Sequence, residues 1–161
     1  MKNPVVHIQK ITPFLWFEKE AGKIAKFYTS IFKDSKIMNT TTLHDTPSGT
    51  VEIVTIELFG QEFTLMSAGP LFKFNESISF VVHCETQKEI NYYWEKLSAD
   101  PKAEQCGWLK DKYGLSWQIV PNVLIKMLSD KDAKKVARVT EAFLKMKKFD
   151  IAKLKEAYES R

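Results

Sequence analysis

The chain is poor in cysteine. Only Cys84 and Cys106 occur among its 161 residues, too few for a disulfide scaffold or a four-cysteine zinc site. No stretch approaches the roughly 18 apolar residues that a membrane span requires. Met1-Lys2-Asn3-Pro4 is followed by no apolar h-region, so no signal peptide is expected. These absences point to the reducing cytoplasm and away from a membrane. Disorder is excluded as well, because 44% of residues are hydrophobic and 27% charged, an ordinary globular mixture.

Net charge is scarce in the body of the chain. The net charge is +4, but residues 122–161 hold 11 basic and 6 acidic side chains, leaving residues 1–121 close to neutral. The lysines of that tail alternate with Val136, Val139, Phe143 and Met146 at helical spacing. This is the pattern of an amphipathic helix with a solvated face rather than of a nucleic-acid binder. The sequence therefore divides into a domain over 1–121 and a basic helical tail over 122–161.

Pattern and turn chemistry predict strands over 11–17, 35–43, 51–58, 62–68, 78–84, 107–109 and 115–120. Helices are predicted over 20–32, 87–97, 123–128, 132–146 and 151–158. Phe59-Gly60-Gln61 reads as a tight hairpin turn, and Ser129 followed by Asp132 as an N-cap with an acidic first turn.

An internal repeat carries more information than any single motif. At an offset of 66, residues 14–32 lie over 80–98 without a gap, Phe14 over Phe80, Ile24 over Ile90 and Ile31 over Leu97. At an offset of 54, Phe59-Gly60 lies over Tyr113-Gly114 and Leu65 over Ile119. Strand, helix and hairpin strands thus recur in the same order, which predicts two βαβββ modules of about 8–68 and 76–121 and an α+β fold. Strand alternation assigns Phe14, Trp16, Phe63, Leu65, Phe80, Val82, Cys84, Trp117 and Ile119 to a helix-packed face. It assigns Pro13, Leu15, Phe17, Thr64, Met66, Ser79, Val81, His83, Ser116, Gln118 and Val120 to the opposite face, which a curved sheet would turn toward a small-molecule cavity.

The repeat resembles the vicinal oxygen chelate superfamily of glyoxalases, extradiol dioxygenases and bleomycin-resistance proteins. Three stretches resemble its PhnB-like branch, often labelled 3-demethylubiquinone methyltransferase-like: ITPFLWF with A-x-x-I-A-K-FY-x-S-IF (11–32), GPLFKFNESISFVV (69–82) and QCGWLKDKYGLSWQIVP (105–121). The resemblance implies the glyoxalase/bleomycin-resistance fold, two βαβββ modules in a curved mixed sheet followed here by C-terminal helices. It also implies a homodimer, with modules sometimes exchanged. It implies four metal-ligand positions, which fall on Pro13, Thr64, Ser79 and Gln118. Divalent metals favour imidazole, carboxylate or thiolate, and none of the four residues offers one, so no metal cofactor is expected. The methyltransferase label is likewise unsupported. The chain has six glycines and no G-x-G cluster to build the Gly-rich loop on which S-adenosylmethionine commonly rests, so no cofactor of that kind is expected either.

Candidate ligand contacts are Met66, Lys73, Asn75, Ser79, Trp108 and Gln118. Trp108, Phe72 and Phe74 would stack on a flat ligand or line a dimer interface. His83 is a candidate general base or lone metal ligand, or else an exposed strand-end histidine; His7 and His44 lie in loop-like contexts. Cys106 reads as a small buried residue rather than a nucleophile, Cys84 as core, and Lys110-Asp111-Lys112 as a charged turn. Three functions remain in view. The first is a cytoplasmic protein binding a small molecule without a catalytic metal. The second is a metal enzyme of lyase, isomerase or dioxygenase type with atypical ligands, His83 with Glu57 or Glu62. The third is an interaction protein working through its tail.

Overall fold

The structure, a computed structural model, describes residues 9–160. His7 and the beginning of the first predicted module lie outside the described residues. The chain forms two compact units, one ending at Lys73 and one beginning at Phe74.

The first unit contains β1 (Phe14–Phe17), α1 (Ala21–Ile31), β2 (Ser35–Thr46), β3 (Gly49–Leu58) and β4 (Gln61–Ser67). Its sheet has the order β1-β4-β3-β2. β1 runs parallel to β4, and the other pairs are antiparallel. Phe59 and Gly60 both have positive φ, 50° and 77°, as the two-residue β3–β4 hairpin turn requires. α1 buries Ala21, Ile24, Ala25, Tyr28 and Ile31, the 3.6-period face that the sequence predicts. No side chain caps its N-terminus locally. A carboxylate from the sheet does so instead, Glu52 Oε2 accepting from Gly22 N at 2.8 Å.

The second unit contains β5 (Ser79–Cys84), α2 (Gln87–Leu97), β6 (Trp108–Lys110), β7 (Ser116–Pro121), α3 (Asn122–Leu128), α4 (Ala133–Leu144) and α5 (Ile151–Glu159). Its sheet has the order β5-β7-β6, with β5 parallel to β7 and β6 antiparallel to it. α2 begins with a capping box, Thr86 and Glu89 satisfying each other's backbone N–H groups. Asp132, not Ser129, caps α4, through Lys134 N and Lys135 N; Ser129 ends α3 instead.

The two sheets hold four and three strands, and the difference is written in the repeat. Helix and hairpin offsets differ by twelve residues, the length of β2. Where a counterpart of β2 would fall, the second unit has a single 3₁₀ turn, Pro101–Ala103.

β1 corrects the expected faces. Leu15 and Phe17 are buried, at 7% and 4% exposure, whereas Phe14 is 56% exposed. The helices do match at 66, Ala21–Ile31 over Gln87–Leu97. The strands match at 67: Leu15 pairs with Leu65, Val82 with Ile119, and Leu65 and Ile119 are equivalent. Three residues, 18–20, join β1 to α1, and two, 85–86, join β5 to α2. The extra residue is absorbed at Glu20, which takes the left-handed conformation at φ 62°. A one-residue slip reverses every side chain of a strand, so Phe14 and Trp16 lie on the open face and Leu15 and Phe17 on the packed one.

The C-terminal helices complete the core of the second unit. Leu124, Met127, Val139, Phe149 and Leu154 are all buried. Cys106 and Gly107 form a left-handed two-residue turn, φ 49° and 81°. Their N–H groups donate to the carbonyls of Met146 and Lys147 at 2.9 and 2.7 Å. Gln87 clamps the start of α5, donating to Phe149 O and accepting from Ile151 N.

Candidate functional site

On the open face of the second sheet, register places side chains in rows. Val81, Gln118 and Trp108 are neighbours across β5, β7 and β6, and Ser79, Ser116 and Lys110 form the next row. Two of the sequence candidates meet directly, Gln118 Nε2 donating to Ser79 Oγ at 2.9 Å. Trp108 is half-buried beside them and His83 is exposed on the same face.

Other candidates are placed differently. Asn75 Oδ1 accepts from Ser77 N and Ser77 Oγ, which ties its carbonyl into a local turn. Lys73 is exposed in the loop that ends the first unit. Met66 lies half-buried on the open face of the first sheet beside Trp16. That indole is not core: its Nε1 donates to Gly69 O at 2.8 Å, and its ring meets Phe72 edge-on at 5.1 Å. Phe72 is thereby engaged with its own unit.

The position assigned to Pro13 fails for the same reason as the β1 faces. Pro13 continues the packed side of Leu15 and Phe17, and its carbonyl accepts from Thr64 N at 2.9 Å in the strand ladder. At the true strand offset, Thr12 matches Ser79. The positions that the resemblance implies for metal ligands would then fall on Thr12, Thr64, Ser79 and Gln118, three hydroxyls and one amide, with Gln118 and Ser79 bonded to each other. Divalent metals of catalytic sites take imidazole, carboxylate or thiolate, so this donor set does not fit one. Among the described residues no three His, Cys, Asp or Glu side chains cluster to hold an ion. Glu57 and Glu62 do pair across β3 and β4, but Glu57 is matched by Lys36 at 3.3 Å. The residues do not fit S-adenosylmethionine either. The segments after β1 and β5, 18–20 and 85–86, are Glu-Lys-Glu and Glu-Thr, without glycine.

Neither cysteine is set up as a nucleophile. Burial pushes the Cys84 thiol up to about 12, with the Glu89 carboxylate adding to the shift. Cys106 is half-buried rather than core, held in its turn with Sγ 3.7 Å from Leu144 O.

The β6 edge of this unit holds a cleft of about 470 Å³, lined by Glu76, Lys102, Ala103, Gln105, Trp108, Lys110 and Ser116. Lys110 forms an ion pair with Glu76, whose carboxyl this hydrogen bond holds below its ordinary range. Ser116 is 1% exposed, yet its hydroxyl has no hydrogen-bond partner among the described residues. Alternation alone puts Ser116 on this face; its isolation is a property of packing that no sequence signal reports. Asp111, read as part of a charged turn, is 3% exposed. It accepts from Tyr113 N, Leu115 N and Trp117 Nε1 and holds the β6–β7 turn together.

Comparison with known proteins agrees with this architecture. The family model described as 3-demethylubiquinone-9 3-methyltransferase matches residues 9–120. A PhnB protein from Bacillus cereus, given the same methyltransferase description, is 34% identical over 70% of this chain and 99% of its own, with a TM-score of 0.59. The fosfomycin resistance protein FosX from Listeria monocytogenes is 12% identical over 78% of this chain and 99% of its own, at 0.55. A Pseudomonas aeruginosa protein is 15% identical over 71% and 98%, at 0.52. The last two similarities are of fold alone. No curated protein matches the chain.

Proposed function

Since the chain belongs to the 3-demethylubiquinone-9 3-methyltransferase family, the PhnB-like branch of the vicinal oxygen chelate fold, we propose that it binds a small molecule on its open sheet faces without a catalytic metal. The observation that carries this reading is the hydrogen bond between Gln118 and Ser79. It consumes two of the four positions where relatives of this fold place metal ligands and leaves a neutral polar surface beside Trp108. Such a surface orients a ligand through hydrogen bonds and stacking but supplies no Lewis acid. The family's methyltransferase description finds no support in the loops after β1 and β5. The working form is a cytoplasmic homodimer, for which two free thiols and the habit of the fold are the support.

Elemental mass spectrometry of natively purified, tag-free protein tests the reading, with metal-supplemented and chelated samples alongside. The expected result is no stoichiometric metal in any sample, followed by ligand-induced stabilisation in a thermal-shift screen. One bound metal per chain would overturn it and direct attention to His83, whose replacement by alanine should then abolish binding.

A further inference from the structure

We propose that the cleft beside β6 takes a small aromatic carboxylate. The Ser116 hydroxyl donates to a carboxylate oxygen, the lysine ammonium groups meet the charge, and Trp108 lies against the ring. The assignment rests on the small-molecule reading above and names its ligand class.

Ser116 decides the location. A buried hydroxyl without a partner costs free energy, and the described residues contain no other buried side-chain nitrogen or oxygen in that state. The neighbouring polar pair, Ser79 and Gln118, is mutually satisfied. Ser116 faces a cleft of about 470 Å³, a size typical of small-molecule sites. A ligand oxygen placed there would remove the penalty.

The lining sets the chemistry. Lys102 and Lys110 stand against the single carboxylate of Glu76, which leaves one positive charge in excess. Lys110 spends one N–H on Glu76 and keeps two more. The cleft therefore suits a monoanion. It lacks the planar guanidinium fork that favours phosphate groups, because the chain's two arginines, Arg138 and Arg161, both lie in the tail. Gln105 donates its side-chain amide to Leu144 O at 3.1 Å, which leaves its carbonyl as a neutral acceptor at the rim. The half-buried indole of Trp108 supplies the apolar wall on which an aromatic ring stacks.

Benzoate, titrated into the full-length protein and followed by amide and indole NMR shifts, is the probe. Acetate, which lacks the ring, and benzyl alcohol, which lacks the charge, are the comparators. Benzoate is expected to bind saturably and the comparators at least tenfold more weakly. Ser116→Ala should weaken benzoate about tenfold, as loss of one hydrogen bond to a charged group does, while raising the urea midpoint of the free protein. Lys102→Ala, on an exposed turn, should also weaken benzoate and reduce its salt dependence. The assignment is overturned by unsaturable benzoate shifts, by unchanged affinity in both variants, or by a Ser116→Ala protein that is less stable when free. Benzoate that binds only after metal is added would sink the metal-free reading and leave the cleft assignment standing. Unsaturable benzoate shifts together with another small molecule that binds equally to wild type and Ser116→Ala would do the reverse.

Discussion

Asp111 shows what a single buried carboxylate does in this fold. Three N–H groups converge on it, two from the β6–β7 turn and one from the Trp117 indole. Alanine at this position would take the carboxylate acceptor from all three, and each donor left unsatisfied costs on the order of 1–3 kcal/mol. Asp111→Ala should therefore lower unfolding free energy in urea by about 3 kcal/mol or more, whereas Lys112→Ala on the same turn should change it by less than about 0.5 kcal/mol. Equal effects would show that the turn does not depend on the carboxylate. Cys84 yields a second expectation at this scale. Its thiol has an ordinary value of 9.0 and is pushed up to about 12 by burial. The folded state thus holds a proton that the unfolded state releases, so this contribution is complete below pH 9 and is lost as pH rises toward 12. The stability difference between wild type and Cys84→Ala should shrink across that alkaline interval and stay flat between pH 6 and 8. The apolar character of Cys84 is legible in the sequence, since it shares an alternating face with Phe80 and Val82. The burial of Asp111 is not, because an acidic residue between two lysines is the ordinary signature of a solvated turn.

The same contrast holds for whole elements. Residue periodicity places α2 at its observed bounds and β3 to β5 within two residues, because local propensity, turn chemistry and burial all agree there. The faces of β1 are not legible. The gap-free repeat is dominated by the helix, which matches at 66, while the strand matches at 67, and the residue that separates them sits in a left-handed turn at Glu20. Sequence similarity across so short a connection cannot reveal a slip that leaves both segments apolar. The Cys106-Gly107 turn is the element that joins sheet to tail. A Cβ built on Gly107 would stand 2.3 Å from Phe149 Cε2, and φ there is +81°. Gly107→Ala combines a left-handed strain of about 1 kcal/mol with a clash against a buried ring. It should destabilise the protein by at least about 2 kcal/mol. Phe149→Leu should relieve part of that loss, so the double variant should be more stable than the sum of the two single effects predicts. Strict additivity would mean that the ring and the turn are not coupled.

At the scale of the molecule, the family match ends at Val120, yet the core of the second unit does not. Leu124, Met127, Val139, Phe149 and Leu154 lie beyond it and are all buried. Full burial of five such side chains contributes on the order of 10 kcal/mol, comparable with the entire stability of a domain. The boundary suggested by composition at residue 121 is one of charge, and most of the tail lysines are exposed. It misses the apolar stripe on the other side of the same helices, which only packing assigns to a unit. A chain ending at Pro121 should therefore lose the order of its second unit: amides of β5, β6 and β7 should exchange within the dead time of a hydrogen-exchange experiment. The first unit buries Ile24, Tyr28, Val54, Ile56 and Leu65 of its own, so amides of β3 and β4 should remain protected. If the truncated chain instead kept protection throughout and unfolded in one cooperative transition, the C-terminal helices would be an accessory to the fold rather than part of its core. The basic surface would then regain its claim as the tail's reason for existing.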